Sequence, residues 1–378
     1  MTTALPAPDT TEQVEAVCHA ARVHREYGEQ HSTLHPDVWQ ALRRSPIPKA
    51  SLPAHCGGLE WDVPRIVDVV RTLALADPSA GWAGAIHAPA GAFTARLDED
   101  AAHTVCATSD GLPPLIAGSS LPAGTAEVGN GTVRLCGRWP LVTSAPHMTV
   151  AALAAPCPKD GETRWWFVPR SALTVAEDWN AVGLRGSASC SVACDARVPA
   201  EHSVRLTDPA RLDAPLYRFP LYALMASCIA AVAHATAQRA IDAFEEMAQT
   251  TRPRHASASL AHLEPTQETY AQASAQISAA AAFADTALTS AWSHAVRGTV
   301  PGSERARLRA ACSHLTQTSA TVCRELFEAA GTAAIHRSHP LEGCWRDATV
   351  AARHALVAAR GHQLAGAQML TGTAAKDL

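Results

Sequence analysis

Glu328-Ala-Ala-Gly-Thr-Ala-Ala-Ile-His336-Arg-Ser-His-Pro340-Leu-Glu-Gly-Cys-Trp345-Arg346-Asp347, followed seven residues later by His354, decides how this chain is read. Gly331 predicts the end of a long helix. His336 to Pro340 predicts a short exposed loop. A new amphipathic helix is expected from about Glu342, carrying Arg346, Asp347 and His354. His354 follows Arg346 by eight residues, about two turns, which puts the two near one face. After Asp347 there is no carboxylate until Asp377, so this helix offers Arg353, His354 and Arg360 and no acid.

The texture upstream extends the pattern. From about Pro215 to Thr371 the chain is rich in alanine. It predicts four long helices: Leu221–Thr250, Pro265–Arg297, Ser303–Ala330 and Glu342–Leu370. Thr251–Ala261 and Thr299-Val-Pro301-Gly302 separate the first three. Small side chains allow close packing, so a four-helix bundle is expected. Between about Leu115 and Leu206, short apolar runs are cut by Gly, Pro and Asn: Thr132–Cys136, Met148–Ala154, Arg164–Val168 and Ser189–Cys194. Gly129-Asn130-Gly131 reads as a hairpin turn, and the region as an antiparallel β-barrel or sandwich. Cys190 and Cys194 fall on one strand face. From about Glu12 to Thr108 the pattern is helical again. Thr10 or Thr11 can cap the first helix, Pro36 and Pro64 fit first turns, and Asp77 or Ser79 can cap a further helix. The expected fold class is α+β, mostly α: an N-terminal helical domain (1–114), a central β domain (115–212) and a C-terminal four-helix bundle (213–378).

Composition narrows the function. The 378 residues are 47% apolar and 17% charged, with a formal charge of −4 and no basic footprint for nucleic acid. No run of 18 or more apolar residues appears, and Met1 to Thr11 has no signal-peptide pattern, so neither a membrane partner nor secretion is expected. The eleven cysteines form no CxxC pair and read as reduced thiols of a cytoplasmic protein, not as a metal site. There is no GxGxxG after a strand, no Walker loop and no GxSxG. Without a nicotinamide site, the chain is not expected to take electrons from a pyridine nucleotide itself.

Five segments, in this order, resemble the acyl-CoA dehydrogenase superfamily. They are Gly57-Gly58, Asp77-Pro78-Ser79-Ala80-Gly81-Trp82, Leu135-Cys-Gly137-Arg138-Trp139-Pro-Leu-Val-Thr143-Ser144-Ala-Pro-His147, Trp179-Asn-Ala-Val-Gly183-Leu184-Arg185-Gly186-Ser187-Ala-Ser189, and the C-terminal stretch above. The likeness is to the two-component, flavin-dependent (group D) monooxygenase branch, which includes p-hydroxyphenylacetate hydroxylases and indole-oxidising relatives. The resemblance implies reduced FMN or FAD, supplied by a separate reductase through diffusible flavin, in a cleft between β domain and bundle. It implies reaction with O2 through a C4a-hydroperoxyflavin to hydroxylate, or N- or S-oxygenate, a small aromatic or heteroaromatic substrate. It also implies a homotetramer or homodimer. Secondary metabolism and aromatic catabolism are both open.

Residue by residue, the resemblance puts Ser119 and Ser120 in a loop beside the flavin ring. Trp139 becomes a wall, and Thr143 and Ser144 hydroxyl donors. Ser187 and Ser189 stand near cofactor phosphates or the ring edge. Arg252 and Arg254, with His255, form a basic loop that reaches a flavin phosphate. His147, His354 and Ser144 take catalytic places, with His354 approaching the flavin C4a/N5 region, and Trp82, His87 and Tyr222 line the substrate pocket. Each has a plainer reading: Trp139 as a core tryptophan, the serines as turn residues, the arginines as a solvated loop, the histidines as partly buried core groups. Arg346 and Asp347 read as an intersubunit ion pair and a helix-start acid. Two further classes stay open. An acyl-CoA dehydrogenase-like FAD oxidoreductase needs a carboxylate base that neither bundle position supplies. A flavin-free scaffold is allowed by Ser144-Ala145-Pro146 in place of Ser-Gly.

Overall fold

The computed structural model describes residues 10–129, 131–252 and 257–373. The chain packs as two compact units. The first contains residues up to Trp61, Ile86–Asn180 and Arg185–Leu212; the second contains Asp62–Ala85, Ala181–Leu184 and the chain from Asp213 on. The N-terminal helical stretch is thus divided between them.

The first unit opens with α1 (Thr10–Val23), α2 (Arg25–His31) and α3 (Pro36–Arg44). α4 (Val63–Ala76) belongs to the second unit, and α5 (Pro78–Ala90) starts there and ends in the first. Their starts are chemical: Asp62 accepts from Arg65 N, and Asp77 accepts from Ala80 N at 2.8 Å. After α6 (Glu99–Cys106) come the strands β1 (Ile116–Ser119), β2 (Gly124–Gly129), β3 (Thr132–Val142), β4 (Val150–Pro156), β5 (Thr163–Pro169), β6 (Leu173–Val175), β7 (Cys190–Pro199) and β8 (Ser203–Val204). They make two four-stranded sheets, ordered β1-β4-β5-β8 and β2-β3-β7-β6.

Alternation along β3 turns Val133, Leu135, Trp139 and Val142 inward, where they meet Leu153, Trp166, Val168, Val192 and both Cys190 and Cys194. One pairing departs from the antiparallel expectation. β1 runs parallel to β4, with Ile116 opposite Val150. The β2–β3 hairpin lies in the other sheet and serves as the long connection that a parallel pair requires. The hairpin closes with Gly129 opposite Thr132; Asn130 lies outside the described residues.

The second unit continues with α7 (Pro215–Arg218), α8 (Leu221–Thr250), α9 (Glu264–Arg297), α10 (Gly302–Ala330), α11 (Pro340–Ala351) and α12 (Ala359–Thr371). α8 is long and apolar enough to cross a membrane, yet 78% of that window is buried inside the protein. Its all-round apolarity is that of a central core helix. Ala237, Ala240, Phe244, Ile277, Val322, Leu326, Leu341 and Ala348 are among the residues that form the bundle core.

The expected fourth helix is two helices, with residues 352–358 between them. The break has no proline or glycine. Some of its carbonyls are taken by side chains of α10: Gln317 donates to Ala352 O at 3.1 Å, and Arg309 donates to Leu356 O at 3.0 Å. Competing donors of this kind substitute for the i→i−4 ladder. His354 therefore stands in the break and not on the helix with Arg346.

Candidate functional site

In the first unit, β3 bulges between Trp139 and Val142, with Leu141 at φ +59°. The chain leaves the sheet there as Thr143-Ser144-Ala145 and meets the segment 187–189. Ser144 N donates to Ser187 O at 2.9 Å, and Ala145 N donates to Ala188 O at 3.2 Å. Ser144 and Ala188 both hold left-handed backbone, φ +58° and +46°. Non-glycine residues keep such conformations only where the surroundings impose them, and this occurs most at binding and active sites. The clamp gathers hydroxyls. Ser189 Oγ lies 3.1 Å from Thr143 Oγ1 and 3.0 Å from Ser187 Oγ. Ser144 Oγ is buried and has no hydrogen-bond partner.

His147 ends the same segment. Its Nε2 lies 3.1 Å from Thr33 Oγ1, and its ring stacks on Trp39 at 4.3 Å. Burial pushes its pKa down to about 4. Trp39 also meets His87 edge-on at 6.4 Å. His87 is 1% exposed, and Nδ1 lies 3.0 Å from the Ile116 carbonyl. A carbonyl only accepts, so Nδ1 carries the proton and Nε2 keeps a lone pair. That Nε2 is buried without a partner. Burial, then the nearby His147 and Arg43, push the pKa of His87 down to about 4 against the backbone bond, which raises it. Thr33 and Trp39 were not legible as site residues. Neither carries a sequence signal beyond that of a helix boundary and an apolar helix face.

Ser119 is buried at the end of β1, opposite Leu153, and Ser120 beside it is exposed. Trp139 is a correction. It is 0% exposed, its Nε1 donates to Ala154 O at 2.7 Å, and a Cβ on Gly124 would meet its ring at 2.2 Å. Gly124 is small so that the indole can fill the sandwich, and no face remains for a ligand.

The second unit holds the other candidates. Trp82 meets His354 edge-on at 5.7 Å. Leu356 N donates to His354 Nδ1 at 3.3 Å, so the neutral ring carries its proton on Nε2. Burial first, and the Arg309 charge second, push the pKa of His354 down to about 4. His354 is thus held as a neutral hydrogen-bond donor at Nε2. Tyr222 is half-buried in the first turn of α8. Arg252 is exposed beyond the end of α8, and Arg254 lies outside the described residues.

Arg346 and Asp347 have structural partners within the chain. Arg346 forms a buried bidentate pair with Glu342 of its own helix, at 2.7 and 2.9 Å, and donates to Val182 O. Asp347 accepts from Leu184 N at 2.6 Å. A Cβ on Gly183 would lie 2.4 Å from the Arg346 backbone. This glycine, with Arg346 and Asp347, docks the loop 181–184 on α11.

A flavin ring presents carbonyl and nitrogen acceptors along one edge, and a cluster of hydroxyls on fixed backbone suits it. The orphaned Ser144 hydroxyl and its neighbours Thr143, Ser187 and Ser189 fit that requirement.

The sandwich and the bundle, carried in this order with a neutral histidine after Trp-Arg-Asp, define the acyl-CoA dehydrogenase class of fold. Residues 227–359 match the family described as Acyl-CoA dehydrogenase, C-terminal domain. The chain is 24% identical to an indole-3-acetate monooxygenase of Acinetobacter baumannii over 368 residues, covering 95% of this chain and 94% of that protein. The crystal structure of 3-HSA hydroxylase from Rhodococcus sp. RHA1 superposes with a TM-score of 0.88 at 25% identity, covering 98% and 99% of the two chains. XiaF from Streptomyces sp., solved with FADH2 and glycerol, superposes with a TM-score of 0.84 at 26% identity, covering 95% of each. The C-terminal part of the chain thus matches the acyl-CoA dehydrogenase family, and the whole chain is similar in sequence and fold to flavin-dependent monooxygenases.

Proposed function

We propose that this chain is the oxygenase component of a two-component, flavin-dependent monooxygenase. It would take reduced FMN or FAD from a separate reductase and place one atom of O2 on a small aromatic or heteroaromatic substrate. The observation that carries this reading is the nature of the candidate acid–base groups. They are neutral imidazoles of fixed tautomer, His354 donating at Nε2 and His87 accepting at Nε2. Dehydrogenation of an acyl thioester needs a carboxylate base instead. The names of the relatives, monooxygenase and hydroxylase, agree with this.

When bound, reduced flavin supplies the electrons that activate dioxygen. The chain does the rest. The Ser144 hydroxyl binds and orients an acceptor edge of the ring. His354 presents a hydrogen-bond donor that does not titrate near neutrality. The apolar flank of Trp82 keeps water from His354 Nε2. In the first unit, His87 Nε2 accepts from a phenol O–H or indole N–H, and Trp39 offers an aromatic wall beside it.

We further propose a cytoplasmic homotetramer or homodimer. Eleven cysteines outside disulfides suit a reducing compartment, and light scattering of the purified chain tests the assembly. The activity is tested by mixing the protein anaerobically with reduced FMN or FAD, then adding isotopically labelled O2 with indole or a phenol. One labelled oxygen in the product supports the proposal. Hydrogen peroxide alone, or turnover of an acyl-CoA, overturns it.

A further inference from the structure

Two cysteines that the flavin chemistry does not use meet between the turn after Pro53 and the end of α6. Ala54–Cys56 forms one 3₁₀ turn, and Cys106 is the last residue of α6. His55 and Cys56 are neighbours in that turn, while His103 and Cys106 lie one turn apart on the same side of α6. The rings of His55 and His103 meet edge-on at 5.3 Å. With the rings in contact, the cysteines beside them come together, and the Cys106 thiol is hydrogen-bonded to the Cys56 sulfur. Cys56 is half-buried and Cys106 is buried. Gly57 holds φ +74° with open space where a Cβ would stand, so the backbone beside Cys56 has room to shift. Other neighbouring thiols lack this arrangement. Cys228 and Cys312 are both buried, as are Cys323 and Cys344. Cys136 is exposed, but it lies on the opposite sheet face from Cys194.

We propose that Cys56 and Cys106 are an oxidation site, which hydrogen peroxide converts to a disulfide with Cys56 as the attacking sulfur and Cys106 as the resolving one. The Cys56 sulfur attacks one peroxide oxygen and the O–O bond breaks. Cys56 becomes a sulfenic acid, and the other oxygen leaves as water with the Cys56 proton. The Cys106 sulfur then attacks the Cys56 sulfur. The S–O bond breaks, and a second water leaves with the Cys106 proton. Peroxide thus takes two electrons, and the two thiols supply them. The roles follow from the surroundings. The hydrogen bond from Cys106 pulls the Cys56 thiol below its ordinary value, against burial and the Glu99 charge. The same bond, with burial second, pushes Cys106 well above it. The sulfur that solvent reaches is therefore the more thiolate-like of the two, as attack on peroxide requires. Uncoupled turnover of the proposed oxygenase releases hydrogen peroxide, so the pair would meet its oxidant near the source; the thiol chemistry does not depend on that reading.

The test uses the reduced full chain without flavin, so that its outcome is separate from that of the oxygenase assay. The chain is treated with graded hydrogen peroxide, blocked with iodoacetamide and digested without reductant. The expected first product is a Cys56–Cys106 linked peptide, reversed by dithiothreitol and accompanied by a raised melting temperature. Cys106→Ser should instead hold Cys56 as a sulfenic acid that dimedone captures, and Cys56→Ser should leave Cys106 reduced. The linked peptide is read in the unaltered chain, so a variant that folds poorly does not decide the result. Conversion of Cys56 to a sulfinic acid with no linked peptide overturns the proposal. Oxidation of another cysteine before this pair also overturns it, as does a pair that stays reduced throughout.

Discussion

Arg309 and His354 are joined through the two sides of one residue. The Leu356 carbonyl accepts from Arg309 Nη2 at 3.0 Å, and the Leu356 N–H donates to His354 Nδ1 at 3.3 Å. Arg309 is 1% exposed in α10. It thus anchors the break between α11 and α12, and its charge also disfavours the protonated imidazole. Arg309→Met removes both effects. The orphaned carbonyl should cost about 1–3 kcal/mol, measurable by urea unfolding. The acid limb of the pH–rate profile should move to higher pH as His354 recovers toward its ordinary value. An unmoved limb would mean that Arg309 does not act on His354.

His354→Ala should lower product formation on the order of a hundredfold, with more hydrogen peroxide released per flavin oxidised. Binding of reduced flavin should stay within about threefold, because the hydroxyls credited with holding the ring belong to 143–144 and 187–189. Equilibrium titration beside a peroxide assay separates the two effects. Equal losses in both would place His354 in cofactor binding.

Ser144→Ala tests the orphaned hydroxyl. Removing a buried group with no partner leaves stability unchanged or slightly raised. Loss of one ligand hydrogen bond should weaken flavin binding about threefold to tenfold. Unchanged affinity would sink the assignment of Ser144 to the cofactor.

Gly183→Ala should destabilise the second unit, since its Cβ would meet the Arg346 backbone at 2.4 Å. Overpacking of this kind costs about 1–3 kcal/mol and should appear as a lower melting temperature. A melting temperature equal to that of the parent would show that loop 181–184 is free to shift off α11.

His87, His147 and His354 all sit at about 4, below the ordinary 6.5. The folded chain keeps each ring neutral while the unfolded chain takes up a proton. Their contribution is therefore complete above about pH 6.5. It is lost as pH falls from 6.5 toward 4, by up to about 1.4 kcal/mol per pH unit for each ring. Urea midpoints measured across that window should fall steeply with acidification. A flat profile would mean that the rings are protonated in the fold.

Local rules were enough for much of the architecture. α8 runs from Leu221 to Thr250, as alanine-rich apolarity and the flanking Pro220 and Thr251 predict. Pro36, Asp62 and Asp77 start helices for reasons that lie within four residues of chain. The alternation in β3 and β7 puts Trp139, Cys190 and Cys194 inside. The family resemblance alone put 143–144 and 187–189 each near a flavin, and the structure brings the two segments together.

The sequence by itself therefore determined the helices, most strands and which hydroxyls and histidines are at hand, because propensity, capping and periodicity act over one or two turns. Tertiary structure alone decided the break at 352–358. Residues 352–358 include no helix breaker, and Gln317 and Arg309, 35 and 47 residues away, take the carbonyls of Ala352 and Leu356. It likewise decided the parallel β1–β4 pair, the Trp39 stack on His147 and the docking of Gly183 on Arg346. Each rests on a contact between segments far apart in the chain, where no local preference records the partner.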